Sequence, residues 1–234
     1  MTAPRSDLPA QNPPPSPATD AALAARILIE TESVLCRPDA PFTFTSGRIS
    51  PVYVDVRRLI AFPRARARLM AMAEDLLVHT AGAEAFDVVA GGETAGIPYA
   101  AFLAERLGLP MCYVRKKPKG FGRDARIEGN LRAGQRALLV EDLATDGGSK
   151  LSFVEALREA GAEVAHCFVV FHYGIFPESV ESLAAAGVQL HALATWRDVI
   201  EEIDRAGYFP SEQLDEVRSF LIDPKGWSET RGGT

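Results

Sequence analysis

Apolar positions along the chain follow three rhythms, and each predicts a different kind of element. In "DAALAARILIETESVL", Leu23, Ile27 and Val34 recur at helical spacing beside Leu28 and Leu35, so a helix begins at Thr19 or Asp20, either of which can cap it. "FTFTSGRISPVYVDVRRL" alternates instead, through Phe42 and Phe44 and then Val52, Val54 and Val56. With Ser46, Gly47 and Pro51 as turn residues it predicts a hairpin or two short strands. Residues 63 to 80 return to the helical period. Beyond them lie continuous apolar runs without alternation: "FDVVAGG", "PMCYV", "RALLVED", "VAHCFVVF" and "QLHALAT". Helical stretches over 97–107, 149–160 and 178–186 separate most of these, and a charged segment follows "PMCYV". Strands buried on both faces and divided by helices mean βαβ units with right-handed crossovers. The pattern therefore predicts an α/β fold with about five parallel strands flanked by helices. "WRDVIEEIDRAGYFPSEQLDEVRSFLID" adds two helices, broken at Gly207 and Pro210.

At 234 residues the chain suits one domain with decoration. Residues 1–18 are proline-rich and read as a disordered tail; 19–222 form the single domain; 223–234 read as a loose tail. Within the domain, 19–62 make a small N-terminal hood, 63–195 the core sheet and its helices, and 196–222 the C-terminal helices. No apolar run approaches the roughly 20 residues of a membrane span, and the N-terminus has no apolar signal region, so no membrane partner is expected. Cys36, Cys112 and Cys167 are odd in number and widely spaced, which supports neither a disulfide framework nor a zinc site and fits a reducing cytoplasm. A net charge of −6 argues against nucleic acid as a partner, so any anion site must be local.

In an open parallel sheet, ligands bind beyond the carboxyl ends of the strands, and three turns there are unusual. In "VVAGGETAGIP" the Gly91–Gly96 spacing is that of a phosphate loop. Ile97 stands where a nucleoside-triphosphate loop needs lysine, however, and a tight βα turn would need the glycines equally. "VRKKPKGFGRDARIEGN" sets Arg115, Lys116, Lys117, Lys119, Arg123 and Arg126 against Asp124, with glycines and Pro118 denying it a helix. It is either a solvated basic loop or a lid that closes over a polyanion. "LLVEDLATDGGSK" ends a strand on two acids and opens a helix on a glycine turn. Free N–H groups and the helix dipole there suit a phosphate, while Thr145 and Ser149 add hydroxyls. Leu151, Val154 and Leu157 mark the buried face of that helix. Glu141 and Asp142 can accept hydrogen bonds from vicinal sugar hydroxyls, which a plain Asp146 cap would leave unexplained.

"LLVEDLATDGGS" resembles the 5-phosphoribosyl 1-diphosphate (PRPP) signature of the type I phosphoribosyltransferases. "FTFTSGRISPVYVD" and "RKKPK" are similar to the orotate phosphoribosyltransferases within that family, and the likeness spans roughly residues 40 to 175. It implies transfer of a phosphoribosyl group from PRPP to orotate. Carried onto this chain, it implies that Glu141 and Asp142 hold the ribose hydroxyls. Thr145, Asp146, Gly147, Gly148 and Ser149 would cradle the 5′-phosphate, with Leu143 and Ala144 also counted as PRPP-binding. Gly91–Gly96 would be the diphosphate loop, with a non-proline cis peptide expected near Glu93 and Thr94, both counted as PRPP-binding. Arg115, Lys116 and Lys119 are implied as mobile-loop cations reaching the diphosphate, typically across a homodimer interface, and Lys116, Lys119 and Asp142 as the catalytic set. Ser46, Gly47, Tyr53, Thr145 and Tyr173 are implied to contact orotate. Mg²⁺ is the implied cofactor, held mainly by PRPP oxygens and not by a cage of carboxylates.

Four positions depart from the family's best-known bacterial members. Those have lysine where this chain has Thr45, lysine at Ala95, histidine at Phe121 and a base-contacting arginine at Tyr173. Lys117, Arg123, Arg126 and His172 are the polar residues at hand to substitute. The alternatives are a phosphoribosyltransferase for a purine or other base, which would share the PRPP loop, and a PRPP-sensing nucleic-acid-binding regulator, which would need a basic face or an added helix-turn-helix.

Overall fold

The computed structural model of the protein describes residues 17–44, 46–118, 126–145 and 148–234. Helix α1 (Pro17–Glu30) starts two residues before Thr19, because proline fits the first turn of a helix; Asp20 lies within that turn, where a negative charge complements the dipole. The hood consists of two small antiparallel pairs. β1 (Val34–Cys36) pairs with β4 (Val52–Val54), and β2 (Phe42–Thr43) pairs with β3 (Ile49–Ser50) across the turn that holds Ser46 and Gly47. A 3-10 helix over Val56–Ala61 leads into α2 (Pro63–Ala81).

The core follows the alternation seen in the sequence. β5 (Val88–Gly92), α3 (Gly96–Leu107), β6 (Met111–Val114), β7 (Ile127–Gly129), β8 (Arg136–Ala144), α4 (Gly148–Glu159), β9 (Glu163–His172), α5 (Pro177–Ala185) and β10 (Gln189–Thr195) run in that order. The sheet order is β10-β9-β8-β5-β6-β7, with five strands parallel and β7 antiparallel on the edge. Strand alternation in β8 sends Leu138 and Val140 to one face, with Tyr99 and Leu103 of α3, and Ala137 and Leu139 to the other, with Phe153 and Leu157 of α4. Leu138, Leu139 and Val140 are each 0 % exposed; burial of each is worth about 1.5–3 kcal/mol and fixes the strand end that carries Glu141 and Asp142. α6 (Trp196–Ala206) and α7 (Ser211–Ile222) then pack beside the hood-side core, with Trp196 and Phe220 fully buried. Among the described residues no helix is long and apolar enough to cross a membrane.

Residues 223–234 are not a loose tail. Asp223 caps a short helix, α8 (Pro224–Glu229), by accepting a hydrogen bond from the Gly226 N–H (2.9 Å), with Pro224 at its first position. Trp227 packs edge-on against Phe220, Arg231 lies 3.7 Å over the Trp227 ring, and the Trp227 indole N–H donates to Glu216 (3.1 Å). The segment then closes on the hood. The Ile49 N–H donates to the Ser228 hydroxyl (2.8 Å), the Thr234 hydroxyl donates to the Ser46 carbonyl (3.0 Å), and the Thr234 N–H donates to the Gly47 carbonyl (3.3 Å). One buried tryptophan therefore turns a polar, glycine-rich sequence into a brace for the β2–β3 turn.

Candidate active site

The strand-end acids are built by the period of β8. Successive side chains on a strand point to opposite faces, so Glu141 and Asp142 diverge. Asp142 turns toward the hood, where its charge is felt by Arg57 and Tyr99. Burial raises its carboxyl above the usual range, partly offset by the Leu143 N–H, which donates to Oδ1 at 2.9 Å. Glu141 turns toward α4 and is 7 % exposed, with Oε1 buried and accepting no hydrogen bond. Burial pushes its carboxyl up to about 8, against the opposing charges of Lys150 and Lys116 and the Gly96 N–H.

This buried acid explains the glycines of the β5–α3 turn. A Cβ on Gly92 would collide with Glu141 Oε1 and come within 2.7 Å of the Phe153 ring; one on Gly96 would fall 2.6 Å from Glu141 Oε1 and collide with the Val140 carbonyl. The expected cis bond lies between Glu93 and Thr94. The diphosphate-loop candidates and the first strand-end acid are thus one packed unit. The positive end of α3 opens just beyond, where Ala95 provides no side-chain cap.

The basic segment leaves β6 tied to the same loop, since the Lys116 N–H donates to Glu93 Oε2 (2.7 Å). Arg126 closes its far end. Its guanidinium donates to the Arg115 carbonyl (2.9 Å) and to the Ser152 carbonyl and hydroxyl (both 3.1 Å), which commits it to the fold and leaves it no substitute role at the base. The Arg115 side chain lies 3.8 Å from Glu128. Lys116 and Lys117 are exposed; Lys119, Phe121 and Arg123 lie outside the described residues. After β8, Thr145 is half-buried, and Gly148 and Ser149 are exposed at the start of α4. Leu143 and Ala144 sit in the sheet opposite Phe171 and His172, Leu143 half-buried and Ala144 buried. Asp146 and Gly147 lie outside the described residues, as does Thr45.

Ser46 is exposed and Gly47 takes φ +90°, a conformation that favours glycine, against Thr234. Tyr53 stands among Phe42 and Phe44 (ring centroids 5.5 and 6.2 Å away), and its hydroxyl accepts from Arg57 at 2.8 Å. Tyr173, implied to contact orotate, is 3 % exposed, edge-on to Phe171 and Trp196 and stacked with Phe176. His172 is likewise committed, to the Ser179 hydroxyl at 2.9 Å. Two residues whose charges act on the acids, Arg57 and Lys150, were given no role from the sequence. Lys150 had a signal, being a lysine in phase with Phe153, Val154 and Leu157 on the apolar stripe of α4, where it is 4 % exposed.

The sequence profile of the phosphoribosyl transferase domain matches residues 59–178. An orotate phosphoribosyltransferase of Cereibacter sphaeroides (strain KD131) is 59% identical over 211 residues, covering 90% of this chain and 91% of that protein. The crystal structure of the Aeropyrum pernix orotate phosphoribosyltransferase is 31% identical with a TM-score of 0.66, covering 77% of this chain and 99% of that one. That of the Mycobacterium tuberculosis H37Rv orotate phosphoribosyltransferase in complex with PRPP is 28% identical with a TM-score of 0.60, covering 77% and 98%. The chain belongs to the phosphoribosyltransferase family, among its orotate phosphoribosyltransferases.

Proposed function

We propose that the protein transfers the phosphoribosyl group of PRPP to a ring nitrogen of orotate, giving orotidine 5′-monophosphate and diphosphate in pyrimidine nucleotide synthesis. The observation that carries this reading is the packed unit of Glu141 and the Gly92–Gly96 loop at the carboxyl ends of adjacent parallel strands, with Asp142 next along β8 facing the hood. Sugar acceptors and a diphosphate cradle there belong to one ligand. The bond from the anomeric carbon to the diphosphate oxygen breaks as the bond from the base nitrogen forms, through a transition state in which positive charge develops on the ribose. Glu141 and Asp142 accept hydrogen bonds from its hydroxyls, and their negative charge favours that transition state. Thr145, Ser149 and the start of α4 hold the 5′-phosphate. Lys116 and Lys119 neutralise the departing diphosphate while the lid excludes water.

Among the described residues no group of three or more His, Cys, Asp or Glu side chains could hold a metal ion, so Mg²⁺ would be held mainly by PRPP oxygens, hard donors that suit it. When bound, Mg²⁺ offsets diphosphate charge. A homodimer in which the lid lysines serve the neighbouring site, and a cytoplasmic location consistent with three free cysteines, complete the reading.

Steady-state assays with orotate, uracil, adenine and hypoxanthine in the presence of PRPP and Mg²⁺ test it. Turnover is expected with orotate alone. Turnover of a purine without orotate would make the protein a purine phosphoribosyltransferase.

A further inference from the structure

Arg48 sits in the turn between β2 and β3, and that turn is held from several sides. The Phe44 N–H donates to the Arg48 carbonyl (2.8 Å), the Gly47 N–H to the Phe44 carbonyl (2.9 Å), and the residues on either side of Arg48 are gripped by Ser228 and Thr234. From this rigid base the side chain crosses to the β9–α5 loop. Its guanidinium carbon lies 4.7 Å from the centroid of the Phe176 ring, which stacks in turn on Tyr173 (6.5 Å, 23°). The Tyr173 N–H donates to the Ala144 carbonyl (2.9 Å), one residue before Thr145. The guanidinium is thereby presented between the hood turn and the phosphate loop, where the acceptor base must lie to reach the anomeric carbon.

Of the other arginines around the hood strands, Arg57 pairs with Asp55 and Arg58 with Glu32, while Arg37 lies over the Phe42 ring (5.2 Å to its centroid). Arg48 has no acidic partner among the described residues, and its Nε is buried without an acceptor. A buried guanidinium N–H left without an acceptor costs free energy, which a bound anion recovers. Stacking on an aromatic face leaves the guanidinium edge free, and that edge matches a planar carboxylate.

Resting on the reading that orotate is the acceptor, we propose that Arg48 is the specificity-determining residue that receives the carboxylate of the base. It takes over the polar recognition that Thr45 and Tyr173 do not supply in this chain. Phe176 acts as a positioning residue that holds the guanidinium in its plane.

The test uses the full chain and compares wild type, Arg48→Gln and Arg48→Lys, with KM for orotate and for PRPP measured separately and uracil, which lacks the carboxylate, as a weak competitive inhibitor. Arg48→Gln is expected to raise KM for orotate by about 30-fold, the loss of one charge-assisted contact, while KM for PRPP and inhibition by uracil stay within about 3-fold. Arg48→Lys is expected to fall in between, because an ammonium keeps the charge and loses the fork. An unchanged KM for orotate in Arg48→Gln overturns the assignment. So does a uracil inhibition or PRPP KM that worsens as much as that for orotate, which would mean a deformed hood. Absence of orotate turnover by the wild type overturns the acceptor reading and this inference together.

Discussion

Gly92→Ala is expected to lower kcat/KM for PRPP by about 100-fold or more and to destabilise the fold by about 2–3 kcal/mol. Gly92 is the last residue of β5, paired with Val114 of β6 and facing the buried Glu141 carboxyl. The added methyl collides with Glu141 Oε1 and crowds the Phe153 ring of α4, and both are buried, so neither can yield cheaply. Either the acid swings out of its site or the diphosphate loop lifts, and each outcome separates two halves of one ligand's binding surface. Shortening the acid relieves the clash. Glu141→Asp in the Gly92→Ala background is therefore expected to restore most of the stability but little activity, a coupling of about 1–3 kcal/mol read by urea denaturation of both single variants and the double. Additive losses would mean that Gly92 and Glu141 act separately.

Lys119→Ala is expected to reduce kcat by about 100- to 1,000-fold with a much smaller change in KM for PRPP, the pattern left when a group acts mainly in the transition state. The negative charge of the diphosphate grows as its bond to the ribose breaks, so a lid cation contributes most at that moment. Lys119 itself lies outside the described residues. The segment that carries it begins at Lys116, whose backbone is fastened to Glu93 of the diphosphate loop, and returns at Arg126, which is fastened to Ser152 of α4. Both ends of the basic stretch are therefore anchored at the proposed PRPP site. A Lys119→Ala enzyme with kcat near that of wild type would remove the lid from the mechanism.

The parallel sheet was legible because its strands are unbroken apolar runs, and the helices between them because glycine and proline mark their ends. What escaped was whatever depends on partners distant in sequence. β7 is three residues in a charged segment, and Ile127 alone hints at it; only pairing with β6 makes it a strand. α8 hides in a polar, glycine-containing stretch because one tryptophan, Trp227, supplies the anchor, and Phe220, Glu216 and Arg231 complete it. In α4, the sequence singles out Leu151, Val154 and Leu157. The buried stripe instead runs through Lys150, Phe153, Val154, Ala156 and Leu157, leaving Leu151 half-buried, since a lysine was not counted as a core position. At the site, the strand-end acids were identifiable as a pair but not as residues facing opposite ways. That divergence follows from the strand period and decides which loop each acid touches. Arg48 gave no sequence signal, because its meaning depends on Phe176 across the fold.

PRPP recognition turns on Glu141, a buried acid proposed to accept a hydrogen bond from the ribose. With its carboxyl pushed up to about 8, Glu141 is largely protonated in the free protein near neutral pH. Accepting from sugar hydroxyls favours the ionised form, so PRPP binding should release a proton from Glu141 and tighten as pH rises toward 8. If the acid merely lay beside the bound diphosphate, the extra negative charge would hold its proton in place. Calorimetric titration of PRPP into wild type and Glu141→Gln at pH 7.5, in two buffers of different ionisation enthalpy, separates the two cases, because the variant subtracts protons lost by PRPP itself. The expected difference is a net release of a substantial fraction of a proton per PRPP by wild type over the variant. No difference, or net proton uptake by the wild type, would contradict the assignment of Glu141 to the ribose.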